Sequence, residues 1–229
     1  MQILALETST ELGSCALWRD GEVLERLCPS GRPHSETLLP LVRELLADGG
    51  TSFSALNGIA FGAGPGAFTG LRVACGIAQG LAVAGGQPVY PVVSLAAMAA
   101  SVDAEQVLAL LDARMGEVYA GAYQRQGSDH VLQGEIRVAS PEALELPASG
   151  AWLACGNAPA AYPALAARLA EIGIPLVSGI LPQAGSVARL AAAAAMRGEG
   201  IDAAIAAPLY IRDKVAKTVA ERLSEGGRA

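Results

Sequence analysis

Residues 62–72 read GAGPGAFTGLR, and the class of the protein depends on how this glycine-rich stretch is interpreted. It follows a short apolar run at 57–63 and precedes a longer one, so we expect it to join a strand to a helix over about 68–84. A loop in that position can cradle a phosphate at the start of the helix, or it can only set the helix direction. The first case is typical of enzymes that use ATP, and the second of proteins that have only the shape of such enzymes.

The spacing of the glycines favours the structural interpretation. A P-loop requires G-x-x-x-x-G-K-[ST], whose lysine reaches the outer phosphates, but Leu71 follows Gly70 here and no lysine is near. A dinucleotide fingerprint requires G-x-G-x-x-G, whereas the first three glycines are spaced G-x-G-x-G. Phosphate binding at the backbone amides stays open as the alternative. The residues that we interpret as a structural loop, in which glycine permits positive φ and proline restricts a turn, are Gly64, Pro65, Gly66 and Gly70.

Composition limits the number of domains, the binding partners and the cellular compartment that we expect for this protein. The chain has 229 residues, 52% of them hydrophobic, which suits one large or two small domains with a sizeable core. Its net charge of −6 argues against nucleic-acid binding by this chain alone, although other members of a complex could hold RNA. No secretory signal or membrane span is evident, since the most apolar stretch, 73–86, is short and rich in glycine. We therefore expect a cytoplasmic protein with no membrane contact and with four reduced cysteines.

The two halves of the chain share a pattern. An apolar strand at 2–9, which includes Glu7, is followed by a hairpin at Asp20-Gly21, a helix at 35–46 and a strand at 88–93. The segment 106–136 repeats the opening, with VLALLD ending at Asp112 as ILALE ends at Glu7. We expect an α/β protein of two related lobes, 1–102 and 103–229, the second completed by a strand at 152–156 and helices at about 159–172 and 183–197.

Four segments then point to a known family. ILALETST (3–10), GPGAFTGLRVACGIAQGLA (64–82), LDARMGEVY (111–119) and PLYIRDKVAKT (208–218) together resemble the bacterial TsaB family of tRNA threonylcarbamoyladenosine biosynthesis proteins. The resemblance implies the actin-like ATPase (ASKHA) fold of two ribonuclease-H-like lobes. In active relatives, acidic residues at the first turn of each lobe help to hold magnesium and phosphates. The corresponding vestigial nucleotide site here would comprise Glu7, Thr8, Ser9 and Asp112.

This chain departs from the active relatives at several positions. The family usually has Asp where this chain has Glu7, and DARMGE (112–117) lacks closely spaced glycines. The catalytic sister family, TsaD, holds a metal through H-x-x-x-H, but the matching spacing falls on Ser94 and Met98. His34 and His130 lie far apart in the sequence. We therefore expect no catalytic residues, no metal and no cofactor.

By resemblance, the protein is a non-catalytic subunit that pairs with TsaD. TsaD transfers threonylcarbamoyl to the adenosine beside the anticodon of tRNAs reading A-starting codons, TsaC makes the adenylate, and the ATPase TsaE joins the larger assembly. Docking in the family uses the two helices of the first lobe, and a homodimer could form on the same surface when TsaD is absent. On the first helix, Leu38, Leu39, Val42, Leu45 and Leu46 form one face that can lie on the sheet. The expected partner contacts are Leu41, Leu45, Phe68, Thr69, Arg72, Val73 and Ile77.

Two other classes stay open. One is an active enzyme of the same fold, either an ATP-dependent kinase or a metal hydrolase, in keeping with an older glycoprotease label for the family. The other is a direct RNA-binding module that uses the tail at 208–229, which carries five basic and three acidic side chains. Bound nucleotide or metal would favour the first class, and strongly salt-dependent tRNA binding would favour the second.

Overall fold

The computed structural model describes residues 1–127 and 129–211, so the basic side chains of the tail, from Arg212 onward, lie outside the described residues. The described part of the chain folds into two lobes, each built on a five-stranded sheet. The strands of the first sheet are β1 (Gln2–Glu7), β2 (Ser14–Arg19), β3 (Glu22–Leu27), β4 (Gly58–Gly64) and β5 (Val89–Val93). Those of the second are β6 (Gln106–Arg114), β7 (Glu117–Gln126), β8 (Asp129–Ala139), β9 (Trp152–Gly156) and β10 (Leu176–Ser178). The helices are α1 (His34–Asp48), α2 (Phe68–Gly85), α3 (Ser94–Ala99), α4 (Ala158–Ala161), α5 (Pro163–Glu171) and α6 (Ala184–Met196).

The two sheets have the same topology, which confirms the expected repeat. The first has the order β3-β2-β1-β4-β5 and the second, taken from its antiparallel edge, β8-β7-β6-β9-β10. In each sheet three antiparallel strands connected in sequence are extended by two parallel strands. The first hairpin turns at Asp20 and Gly21, whose φ angles of 49° and 101° suit a two-residue turn.

The first sheet is covered on both faces, which explains the continuous apolar run of β1. Leu4 and Leu6 point to the face covered by α1 and α2, while Ile3 and Ala5 point to the opposite face. The short connection α3 then leads into the second lobe, where Leu95 and Met98 join the core beneath β6 and β7. These two cores hold the helices and the turns after β1 and β6 in position.

The last helix, α6, lies on the sheet of the first lobe. We expected residues 183–197 in the second lobe, yet α6 packs on the first sheet, against small residues that let its alanines approach closely. Two side chains of the first lobe anchor its start: Ser14 Oγ accepts a hydrogen bond from the Ala184 N–H (2.8 Å), and Glu25 Oε1 accepts one from Gly185 (2.9 Å). The second lobe is therefore not the continuous segment 103–229, because the chain returns to the first lobe at α6.

Two local expectations also need correction. The expected helix at 159–172 is two helices, α4 and α5, separated at Tyr162, because Pro163 lacks the N–H that a continuous helix would need and instead begins α5. On α1, Leu39 was expected on the face toward the sheet but is 37% exposed, whereas Thr37 is buried and its Oγ1 donates to the carbonyl of Pro33 (3.1 Å).

Candidate functional site

The glycine-rich loop lies directly against the turn that follows β1. The Ala67 N–H donates to the carbonyl of Ser9 (2.7 Å), and Thr8 Oγ1 donates to the carbonyl of Gly70 (2.7 Å). A Cβ added at Gly66 would collide with the Ser9 carbonyl oxygen, and one added at Gly70 would collide with that of Thr8. These two glycines therefore make room for backbone of the same chain. Gly64, with φ of 117°, provides the turn from β4 toward Pro65.

Glu7, at the end of β1, is turned into the protein interior. It is fully buried, and its carboxylate accepts hydrogen bonds from the Ser9 N–H (2.5 Å) and from Ser94 Oγ (3.1 Å). A Cβ at Gly62 would overlap this carboxyl group, so the glycine leaves the space in which Glu7 sits. Burial raises the pKa of Glu7, and the hydrogen bonds from Ser9 and Ser94 offset only part of that increase. The group is thus an internal acid rather than one presented to a ligand.

Asp112, at the equivalent position after β6, is held by donors from its own lobe. Its Oδ1 accepts hydrogen bonds from Tyr162 Oη (2.8 Å) and from the Arg114 N–H (2.8 Å). Its Oδ2 forms an ion pair with the Arg114 guanidinium at 3.1 Å. Burial, followed by the interaction with Asp112, raises the pKa of Tyr162. A cation at this carboxylate would have to displace or share these donors.

A narrow cleft separates the two equivalent turns. Its walls include Ser9, Thr10, Asp112 and Asn157, and its volume is about 80 Å³. Pockets for drug-sized ligands and cofactors usually span roughly 300–1,000 Å³. Of the expected vestigial residues, the structure brings Ser9 and Asp112 to this cleft, while Glu7 and Thr8 face the interior and the start of α2.

The positions considered for a metal lie apart. Ser94 Oγ donates a hydrogen bond to the Glu7 carboxylate, and Met98 is fully buried in the core of the second lobe. His34 Nε2 lies 3.1 Å from the carbonyl of Thr10 and His130 Nε2 lies 2.9 Å from that of Ala104, so each nitrogen donates to a backbone oxygen. In residues 1–127 and 129–211, no three His, Cys, Asp or Glu side chains converge as metal ligands.

The other expected functional surface is formed by α1 and α2. Leu41, Val73 and Ile77 are half-buried and pack at the outer margin of the first core. The expectation for Leu45 is corrected, because this side chain has no exposed surface and belongs to the core. Phe68, Thr69 and Arg72 are exposed at the first turns of α2.

The outward side of α2 is long, open and almost uncharged. Gly76 and Gly80 face open space, and Val83 is 73% exposed. Arg72 is the only charged residue among the 18 of this helix. By length and composition α2 could cross a membrane, but one side of it packs on β4 as an outer helix of the first lobe. Its other side is exposed and carries little charge.

An aromatic pair stands at the start of this surface. The guanidinium carbon of Arg72 lies 3.3 Å from the centroid of the Phe68 ring and 5.5 Å from that of Tyr210. The two rings are 5.6 Å apart at an angle of 39°. Tyr210 follows a segment, residues 203–209, that runs along α2. Gln79 Nε2 of α2 donates hydrogen bonds to the carbonyls of Ala203 (3.1 Å) and Ala206 (3.0 Å) in this segment.

Comparison with known proteins identifies the family. The family model TsaD, described as tRNA N6-adenosine threonylcarbamoyltransferase, matches residues 29–219. The tRNA threonylcarbamoyladenosine biosynthesis protein TsaB of Escherichia coli K12 is 39% identical over 232 residues, which cover 94% of this chain and 96% of that protein. The chain belongs to the TsaB family. The TsaB protein of Haemophilus influenzae is 44% identical over 130 residues, 55% of each chain.

Solved structures agree with membership of the TsaB family. YeaZ from Pseudomonas aeruginosa is 40% identical to this chain and superimposes on it with a TM-score of 0.80. The match covers 92% of this chain and 99% of the YeaZ chain. A second structure from the same organism, titled as an uncharacterized protein with similarity to peptidase YEAZ, has a TM-score of 0.83 with the same identity and coverage. The fold is mixed α/β with two five-stranded sheets of the same topology, and the two Pseudomonas aeruginosa structures share it over nearly their whole length.

Sequence reasoning missed Tyr210 as a neighbour of α2. More than 130 positions separate it from Phe68 and Arg72, so no local periodicity connects them. The sequence signal for this contact is the PLYIRDKVAKT segment at 208–218, which carries part of the resemblance to the TsaB family.

Proposed function

We propose that this TsaB-family protein is an accessory subunit without catalytic residues, which docks on a TsaD-family enzyme and supports its active form. The reaction supported is transfer of threonylcarbamoyl to the adenosine beside the anticodon of tRNAs reading A-starting codons. The observation that carries the proposal is the open, nearly uncharged side of α2, flanked by the half-buried Leu41, Val73 and Ile77. Covering such a surface with a partner helix removes apolar area from water, which stabilises the complex.

The turns after β1 and β6 support the non-catalytic part of the proposal. Glu7 is buried with a raised pKa, and Asp112 is engaged by Tyr162 and Arg114. The cleft between the turns is small for a nucleotide. In this proposal the fold is kept for docking, while the partner provides the metal and the substrate site.

The remaining parts of the proposal concern the assembly. The protein acts in the cytoplasm, TsaE joins the TsaB–TsaD pair, and tRNA is held only through the complex, in keeping with the net charge of −6. In the absence of TsaD, two copies could cover the same α1–α2 surface with each other.

The proposal predicts that a charge placed on the α2 surface prevents association with TsaD. Ile77→Glu and Val83→Glu are each expected to weaken binding by at least about tenfold, because a carboxylate would have to be desolvated against an apolar partner. Isothermal titration calorimetry with the TsaD of the same organism measures the effect. Val83 is 73% exposed, so its substitution should not perturb folding.

Ile172→Glu is the matched control, since Ile172 is 50% exposed at the end of α5 in the second lobe. It adds the same charge away from α2 and should leave the affinity unchanged. Normal binding by Ile77→Glu and Val83→Glu would place the interface elsewhere, and equal loss in all three variants would mean that the added charge weakens binding wherever it is placed. If the unmodified protein does not bind TsaD but binds ATP or a divalent ion with a defined stoichiometry, the accessory role is wrong and the active-enzyme alternative returns.

A further inference from the structure

Arg72 is a cation that the described part of this chain leaves without an acidic partner. Among residues 1–127 and 129–211, no Asp or Glu forms an ion pair with its guanidinium, although ten other ion pairs occur in the same region. No acidic residue lies in α2. The guanidinium is exposed, and it lies at the end of the apolar surface on which docking is proposed.

The aromatic pair limits where this cation can point. One face of the guanidinium lies over the Phe68 ring at 3.3 Å, and the Tyr210 ring is the second aromatic neighbour at 5.5 Å. Stacking through the face leaves the N–H groups at the edge free, and these groups match a carboxylate in bidentate geometry. Holding the side chain before binding also reduces the entropy lost when a partner arrives.

The rest of the α2 surface contrasts with this one charge. From Val73 to Gly85 the helix carries no charged side chain, and its outward positions include Gly76, Gly80 and Val83. A partner that covers it must therefore be apolar over most of the contact and acidic at one end. In a second copy, α2 has no carboxylate to offer, so a carboxylate from a second copy would have to come from α1, where Glu36 and Glu44 are exposed.

We propose that Arg72, held by Phe68 and Tyr210, receives an Asp or Glu carboxylate of the TsaD-family partner and so determines the partner and the register of docking. This inference rests on the proposed function, since it requires that the α2 surface binds TsaD. The ion pair is the polar anchor at the end of an otherwise apolar contact, and it discriminates against apolar surfaces that lack an acid.

The test compares the affinity of three Arg72 variants for TsaD at several salt concentrations. We expect Arg72→Met to bind at least about tenfold more weakly and Arg72→Glu about a hundredfold more weakly, with Arg72→Lys between them and the unmodified protein, because lysine keeps the charge but not the planar geometry. The affinity of Arg72→Met should also depend less on salt than that of the unmodified protein. Arg189→Met, which removes an exposed charge from α6 on the opposite face of the first sheet, should bind normally.

A charge swap identifies the acid. Each acidic residue on the TsaD surface that binds this chain is replaced by arginine and paired with Arg72→Glu, and one pair is expected to recover at least about tenfold of the lost affinity. Recovery by none of the pairs would overturn the inference. So would a loss of self-association in Arg72→Glu with TsaD binding unchanged, because the carboxylate would then belong to a second copy of this chain.

Failure of the inference and failure of the proposed function can be distinguished. If Val83→Glu prevents TsaD binding while all Arg72 variants bind normally, the docking surface stands and the acidic contact is wrong. If the unmodified protein does not bind TsaD at all, the docking proposal fails, and the inference fails with it.

Discussion

Replacing Gly70 with alanine is expected to destabilise the protein by about 3 kcal/mol, since overpacking of a rigid site costs roughly 1–3 kcal/mol and sometimes more. The added Cβ would overlap the carbonyl oxygen of Thr8, which is backbone and cannot rotate away as a flexible side chain could. Thr8 Oγ1 also donates to the carbonyl of Gly70 at 2.7 Å, so the turn and the helix are tied together at this point. Urea unfolding followed by circular dichroism measures the change, provided that the m-value stays constant.

Gly76→Ala is the matched control on the same helix. A Cβ at Gly76 meets nothing within 4 Å, so alanine should stabilise the helix by roughly 0.5–1 kcal/mol. The two substitutions make the same chemical change six residues apart and should have opposite signs. Equal effects would mean that helix propensity alone decides, and that the close approach of α2 to residue 8 contributes nothing.

This comparison also addresses the interpretation of GAGPGAFTGLR. A glycine kept only to admit a phosphate leaves empty space in the ligand-free protein, so alanine there would hardly change the stability without ligand. At Gly66 and Gly70 the space is instead taken by backbone of residues 8 and 9. A large loss of stability in Gly70→Ala without any ligand would therefore favour the structural interpretation.

Local sequence patterns predicted most of the helices and strands, because each of these elements has its own signature in the sequence. The Asp20-Gly21 hairpin, the apolar run of β6 and the helix after the glycine-rich loop all came from periodicity and turn chemistry. The repeat of strand, acid and hairpin indicated two lobes, and the two sheets share that topology. The break before Pro163 has a local signal of its own, since proline favours the first turn of a helix.

Long-range contacts could not be predicted in the same way. An alanine-rich helix fits any face lined by small residues, so its composition did not show that α6 returns to the first sheet. The same applies to Leu45, since an apolar residue on an amphipathic helix can face the core or a partner, and only the packing decides. The burial of Glu7 depends on Gly62, which leaves space for its carboxyl group, and on Ser94, which donates a hydrogen bond to it. Both residues are far from Glu7 in sequence.

Glu7→Gln is expected to make the protein more stable relative to the unmodified chain as the pH rises. Burial raises the pKa of Glu7 in the folded state above its usual value of 4.5, so above that pH the folded state retains a proton that the unfolded state releases. The stabilising contribution of the protonated carboxyl is fully present below about pH 4.5 and is lost as the pH rises through the folded-state pKa. Glutamine has no such proton, so the difference in unfolding free energy should grow with pH, with a slope approaching about 1.4 kcal/mol per unit.

Unfolding curves of both proteins between pH 4 and pH 8, with Glu22→Gln on the exposed strand β3 as the surface control, measure this slope. Glutamine can still accept the hydrogen bond from the Ser9 N–H, so the comparison isolates the charge from the loss of the side chain. If the folded protein instead stabilised the ionised carboxylate, as a magnesium site does, the folded-state pKa of Glu7 would lie below that of the unfolded chain. Glutamine would then become less favourable as the pH rises, and the sign of the slope would reverse. The sign therefore distinguishes a carboxyl group whose burial favours the protonated form from one whose site favours the carboxylate that a metal ion needs.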